Sequence, residues 1–374
     1  MVPEFSELVA TERRIAAFGL PISDASSVPV SDERWPAVGL VLAARSLTGL
    51  ALAAAEEGWL RISDEATADL VDRHRAQMMQ TLSLERILLS VGATFDRRGV
   101  PFVVLKGPAL AHSLYPDPSW RPFGDLDLLV RTQDWRTACA ILAELGFRRE
   151  LPEPAAGFDE RFGKAATHMG PDGQQLDLHR ALVLGPFGIW IRPEQLFDEV
   201  TTFHLGGRTF QRLTDTALLL HAAVHASLGW AEPLPIPLRD VAQIALTGDL
   251  DREHLRALVR EWRLAAVLED SFAAVEQQFG VTLSDQVIEA QGLRPTKRER
   301  RVLAGYRKSR GVGGVPLSMV TAVPGVRNKV AYVRSLVMPS RDFMVARAGG
   351  DASYPARWRI PMRWITQRMM RRNR

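Results

Sequence analysis

Leu105-Lys106-Gly107-Pro108 and, a short loop later, Arg121-Pro122-Phe123-Gly124-Asp125-Leu126-Asp127-Leu128-Leu129-Val130 decide the reading of this chain. Phe102-Val103-Val104-Leu105 is apolar and rich in β-branched and aromatic residues, which suits a buried strand ended by Lys106-Gly107-Pro108. Asp125 to Val130 begins as strict alternation and reads as a second strand. Carboxylates at i and i+2 of a strand share a face, roughly 7 Å apart, near enough to hold hard divalent cations. An acidic pair inside an apolar run costs several kcal/mol unless it is paired or metal-bound. The residues alone equally allow Asp125 and Asp127 to face solvent on an edge strand.

Working outward, residues up to about Gly99 read as helical. Ala37–Glu57 is rich in Ala and Leu, and Asp64–Arg98 places Leu82, Ile87, Leu88, Val91 and Phe95 near helical spacing before a stop at Gly99 and Pro101. Thr132 is positioned to cap a helix over Gln133–Leu145, closed by Gly146; Cys139 lies within it among apolar neighbours and is expected to be buried. Ala165–Gly170 and Gln174–His179 flank Pro171-Asp172-Gly173 and predict a hairpin with Gln175, Asp177 and His179 on one face. Thr214 to about Phe279 is helical in pattern, interrupted by Pro233, Pro235 and Pro237. A basic run over Arg294–Arg310, a linker over Gly311–Pro316 and an amphipathic stretch around Lys329–Val337 follow. The expected division is a helical N-terminal region 1–98, a core 99–182, a helical region 183–290 and a basic C-terminal region with its tail 291–374.

Composition narrows the class. The chain has 374 residues, 46% hydrophobic and 24% charged, which excludes disordered and collagen-like classes and favours more than one domain. One cysteine, Cys139, permits no internal disulfide and no Cys/His zinc spacing. No apolar run is long enough to span a membrane, and Glu4, Glu7 and Glu12 stand where a signal peptide would be basic, so a cytoplasmic protein is expected. Arg357–Arg374 holds seven arginines and no acid; taking them from the net charge of +4 leaves −3 for residues 1–356. The body is therefore not a uniformly cationic nucleic-acid binder. With Trp358 and Trp364 among the arginines, the tail suits an anionic membrane surface, which would make the protein peripheral. Contact with RNA or a solvated extension fits its charge as well, and Pro361 interrupts any helix.

Five ordered elements resemble the uncharacterised bacterial nucleotidyltransferases of the DNA polymerase β-like superfamily. They are Gly99-Val100 with Leu105-Lys106-Gly107, the loop carrying Tyr115, Arg121 with Asp125 and Asp127, Leu142 to Phe147, and Leu176-Asp177-Leu178-His179. The likeness runs from about residue 70 to 345. It implies an α+β fold with a small mixed β-sheet core flanked by helices. It also implies a magnesium- or manganese-dependent enzyme that moves a nucleoside monophosphate from a nucleoside triphosphate to a hydroxyl-bearing acceptor, whether small molecule, saccharide, peptide or protein. By the resemblance, Asp125, Asp127 and Asp177 form the catalytic, metal-binding triad, with Asp177 the candidate to take the acceptor's proton. Lys106, Gly107 and Arg121 would face the nucleotide. Arg121 would offset triphosphate charge or orient Asp125; otherwise it is a loop arginine paired with Asp117. His179 shares a strand face with Asp177. The resemblance further matches a histidine pair and an Arg-Asp to His221, His225, Arg239 and Asp240, on the acceptor side; without an intervening glutamate, the residues of the His pair by themselves read as packing sooner than as metal ligands. One departure stands out: Pro108 follows Gly107 where the superfamily usually has serine or glycine. A serine hydroxyl is thus missing, Lys106 is a substitute as a point charge, and a catalytically degenerate nucleotide-binding module is the alternative.

Overall fold

The computed structural model describes residues 3–21, 26–229, 234–283, 293–310, 320 and 322–348. Helices Pro3–Ala16 (α1), Trp35–Ala44 (α2) and Thr48–Glu56 (α3) open the chain, with Val28–Pro29 (β1) and Leu60–Arg61 (β2) as a parallel two-stranded ribbon. A helix of 34 residues, Asp64–Arg97 (α4), follows. Ser63 caps it by accepting a bond from the Ala66 amide at 3.2 Å, and Asp64 and Glu65 complement the positive end of its dipole. It stops where the sequence indicates: Gly99 takes a φ of +67° and the Val100 amide turns back to the Phe95 carbonyl.

The central sheet comprises Phe102–Val104 (β3), Asp125–Val130 (β4), Arg148–Arg149 (β5), Ala165–Met169 (β6), Gln175–His179 (β7), Val200–Leu205 (β8) and Arg208–Leu213 (β9). Its order is β5-β6-β7-β4-β3-β9-β8, mixed in direction, with β4 parallel to β7 and antiparallel to β3. The alternation in β4 divides the molecule. Leu126, Leu128 and Val130 join Leu84, Leu88, Val91 and Phe95 of α4 and the apolar side of Trp135–Glu144 (α6) in one core. Each such fully buried side chain contributes roughly 1.5–3 kcal/mol. The buried face of α4 is spaced 84, 88, 91, 95, so Leu82 falls off it and is exposed, contrary to the sequence grouping. Leu129, Val103 and Leu105 face the other way, into a second core shared with α1 to α3 and with helices Asp215–Leu228 (α9), Pro235–Thr247 (α10) and Ala265–Phe279 (α12). Asp125 and Asp127 lie on this second face, between the sheet and the helical layer.

Several local expectations are corrected. Thr132 opens a short 3-10 turn and donates to Glu194, and α6 starts at Trp135 without a side-chain cap. Cys139 is half-buried, with burial pushing its thiol up to about 11. The region 183–290 is not purely helical: it supplies β8 and β9, turned by Gly206-Gly207 with φ of +55° and +76°, the pair of positive angles that a tight hairpin turn demands. The proline-rich break is real: α9 ends at Leu228 and α10 begins at Pro235, where proline is tolerated at a first helical position. The amphipathic stretch near the C-terminus is a helix, Val326–Val337. The linker over 311–316 and the arginine-rich tail lie outside the described residues. Among the described residues, no helix is long and apolar enough to cross a membrane.

Candidate active site

Parallel pairing of β4 with β7 sets Asp127 directly opposite Asp177, Asp125 opposite Gln175 and Leu129 opposite His179. Pairing of β6 with β7 around a turn at Gly173 (φ +83°) is the hairpin read from the sequence. Because side chains opposite one another share a face, the two carboxylates and the imidazole converge. Ligand atoms of Asp127, Asp177 and His179 all lie within 4.8 Å of one another. Asp125 is not part of that close group; it sits one pleat along and joins it through Lys106, whose Nζ is 3.6 Å from Asp125 Oδ2.

Asp127 is the centre of the arrangement. Its carboxylate is nearly inaccessible, with Oδ1 2.7 Å from His179 Nε2 and Oδ2 2.9 Å from Lys106 Nζ. Burial alone would raise its proton affinity, but Lys106 and His179 outweigh it and hold the carboxyl well below the usual range. Asp125 goes the other way, pushed up by burial and by the neighbouring charge of Asp127. Burial would depress Lys106, yet the two aspartates raise it, so it is firmly charged. His179 is braced by Ala181, whose carbonyl lies 3.3 Å from Nδ1. Lys106 and Asp127 form an ion pair at 2.9 Å, and beyond it the buried Oδ2 accepts no hydrogen bond. A buried carboxylate oxygen in that condition, beside a second carboxylate, fits a divalent cation.

Gly107 lets the chain pass beside this group. Its φ of +56° with ψ of −110° is a glycine conformation, and a Cβ there would stand 3.2 Å from Phe123 Cγ. Gly107→Ala is therefore expected to cost roughly 1–3 kcal/mol in denaturant unfolding and to move Lys106 off Asp127. An unchanged unfolding midpoint would contradict the strain. Lys106, Gly107, Arg121, Asp125 and His225 line a cleft of about 270 Å³ together with Ser46 and Pro235.

Other residues expected at the site are engaged in contacts of their own. Arg121 is buried, and Nε and Nη2 clamp Asp240 at 2.9 Å each while Nη1 donates to the Pro122 carbonyl at 3.0 Å. It is not paired with Asp117, whose carboxylate accepts from the Ser119 amide. Asp240 also accepts from the Tyr115 hydroxyl at 2.7 Å. Arg239 is fully buried and donates to the carbonyls of Ala16 and Phe18 and to Gln243, tying α1 to α10. Both members of the Arg-Asp pair thus hold elements together. His221 and His225 project from α9 and feel the charges of Asp127 and Lys106. Burial pushes His221 down to about 3 and His225 well below its ordinary value, so both rings are neutral at pH 7.

That neutrality has a measurable cost in acid. The unfolded chain takes up protons near 6.5 that the folded chain refuses until far lower pH, so stability falls as pH drops below about 6.5. Each ring contributes up to about 1.4 kcal/mol per pH unit, and His168, lowered to about 4 by burial, acts in the same direction. Asp125, whose carboxyl is raised, opposes them. Urea titrations between pH 7 and 5 should give a declining midpoint, with a shallower decline in His221→Asn; equal slopes would contradict the buried neutral state.

Lys164, just before β6, was not anticipated by the sequence reading. It is half-buried, and its ammonium shares the field of Asp127, Lys106, Asp177 and Asp125. A signal was present: only five of the 47 basic residues are lysines, and two of the five are Lys106 and Lys164.

Residues 31–280 match the family model described as uncharacterised nucleotidyltransferase. The chain belongs to that family. The match begins earlier and ends sooner than the resemblance over 70–345, taking in α2 and α3 and leaving out the C-terminal helices. No curated protein matches the chain. Among solved structures, it is similar to an antigenic nucleotidyltransferase-like protein from Paracoccidioides brasiliensis, at 15% identity and a TM-score of 0.34 over 57% of this chain and 94% of that one. It is also similar to the antibiotic-resistance factor ANT(2'')-Ia, at 17% identity and a TM-score of 0.32 over 53% and 98%. Likenesses this distant leave the nucleotidyltransferase site to be argued from its own geometry.

Proposed function

We propose that this nucleotidyltransferase uses magnesium or manganese, held by Asp127 and Asp177 with Asp125 alongside, to move a nucleoside monophosphate from a nucleoside triphosphate to a hydroxyl-bearing acceptor. The observation that carries this reading is Asp127: buried, ionised, directly opposite Asp177, and with Oδ2 held by the Lys106 ion pair alone among the described residues. When bound, the cation would screen the triphosphate and stabilise the attacking and leaving oxygens of an in-line displacement.

The chain's own residues do the rest. Lys106, which lines the cleft, neutralises phosphate as a compact charge, and Gly107 lets backbone approach the phosphates closely. His179 fixes the orientation of Asp127 from the side away from Lys106. Asp177 is less buried than Asp127, and among the described residues its carboxylate accepts only from the Gln175 amide, at 3.4–3.5 Å, so it is the carboxylate best able to accept the acceptor hydroxyl's proton. Arg121 acts at one remove by anchoring the loop that leads into β4.

The second reading, a binding module without turnover, has one observation in its favour: Lys106 and His179 already neutralise Asp127 without any cation. Incubating the purified protein with each α-labelled triphosphate, magnesium and cell extract separates the two. Transfer requires label on an extract component; release of none, with tight nucleotide binding, supports the module.

A further inference from the structure

Lys164 precedes β6 and Lys106 follows β3, on either side of the two strands that carry the carboxylates. The order β6-β7-β4-β3 means that the residue preceding β6 and the residue just beyond β3 bracket the strands carrying Asp177 and Asp127. The Lys164 backbone is fixed there: its carbonyl accepts from the Arg180 amide at 2.8 Å and the Ala181 amide at 3.1 Å, binding it to the chain that leaves β7 beyond His179. Its side chain is half-buried in the field of three aspartates. Among the described residues, its ammonium makes no ion pair and no hydrogen bond, whereas Lys106 is engaged by Asp127 and Asp125.

A half-buried cation without a direct ion-pair or hydrogen-bond partner is costly, and the cost falls when an anion makes contact. The residue type specifies the anion. Arginine is this chain's habitual cation, and its planar fork suits carboxylates. Lysine gives a compact, rotatable charge that meets a single tetrahedral phosphoryl oxygen. Burial lowers its proton affinity, and the approach of phosphate would restore it.

We propose that Lys164 is a second phosphate-binding residue of the nucleotidyl-transfer site, contacting the nucleotide's phosphates from the β6 side while Lys106 contacts them from the β3 side. This rests on the nucleotidyltransferase reading above. A triphosphate lying over Asp127 and Asp177 would then be flanked by both ammonium groups, which supplies phosphate contact that the absent serine after Gly107 does not.

The test is calorimetric titration of the full chain with magnesium–ATP and with magnesium–tripolyphosphate. Lys164→Met should weaken both ligands about tenfold or more, as loss of a charged hydrogen bond does, with Lys164→Arg recovering part of the affinity. Lys106→Met should weaken them too. A merely structural role would lower the melting temperature without separating Met from Arg. If Lys164→Met does not fold, acetylation of the unaltered protein decides: magnesium–tripolyphosphate should slow modification of Lys164 and leave exposed Lys297 unaffected. Full affinity in Lys164→Met, or equal modification of Lys164 with and without ligand, while Lys106→Met loses binding, overturns this proposal and leaves the nucleotide site standing. Absence of any triphosphate binding by the unaltered protein overturns both.

Discussion

Asp127→Asn is expected to remove metal-dependent triphosphate binding and to lower nucleotidyl transfer by about 10³-fold or more, the scale of a lost metal clamp on the reacting phosphate. The substitution is nearly isosteric, and the amide oxygen still accepts from His179 where Oδ1 did at 2.7 Å. The charge is what disappears. The amide nitrogen would face the Lys106 ammonium, now 2.9 Å from Oδ2, and Lys106 would be left to Asp125 at 3.6 Å. Because Asp125 keeps Lys106 partly compensated, the fold should lose only on the order of 2 kcal/mol. Manganese binding followed by electron paramagnetic resonance, beside a urea unfolding curve, measures both quantities. Undiminished manganese affinity in a folded Asp127→Asn would contradict the role assigned to this carboxylate.

Arg121→Ala is expected to have the largest effect on stability, about 3–5 kcal/mol, because it leaves the Asp240 carboxylate buried with only the Tyr115 hydroxyl. Arg121→Lys should rescue little, since a single ammonium cannot reproduce the two bonds at 2.9 Å to both oxygens of Asp240. The urea midpoint is the readout. A variant that keeps the wild-type midpoint but loses triphosphate affinity would instead put Arg121 on the nucleotide.

What the sequence disclosed and what it hid follow from the range of the interactions. The strand with Asp125 and Asp127, the hairpin bearing Asp177 and His179, and the glycine end of α4 are written in periods of two and four residues and in turn chemistry, so they were legible. The resemblance supplied the link between β4 and β7, which no local pattern carries. The clamp of Arg121 on Asp240 was not legible because that partner is 119 residues away on α10, beyond the reach of any spacing argument. The bonds of Arg239 were hidden for the same reason, two of its acceptors lying at the end of α1 and just beyond it. The hairpin of β8 and β9 could have been found from Gly206-Gly207 between alternating segments, and Lys164 from the scarcity of lysine. Thr132 is no cap because the chain turns as a 3-10 helix over Thr132–Asp134 before α6 starts at Trp135, and its hydroxyl donates to Glu194 of the 3-10 turn Pro193–Phe197.

Diffraction at the manganese absorption edge, from crystals grown with manganese and a triphosphate that cannot be cleaved, tests the central claim most directly. The expected result is anomalous density between Asp127 and Asp177 with the phosphates in the cleft lined by Lys106 and Gly107. Triphosphate bound elsewhere, or bound in that cleft with no metal at Asp127, would contradict it.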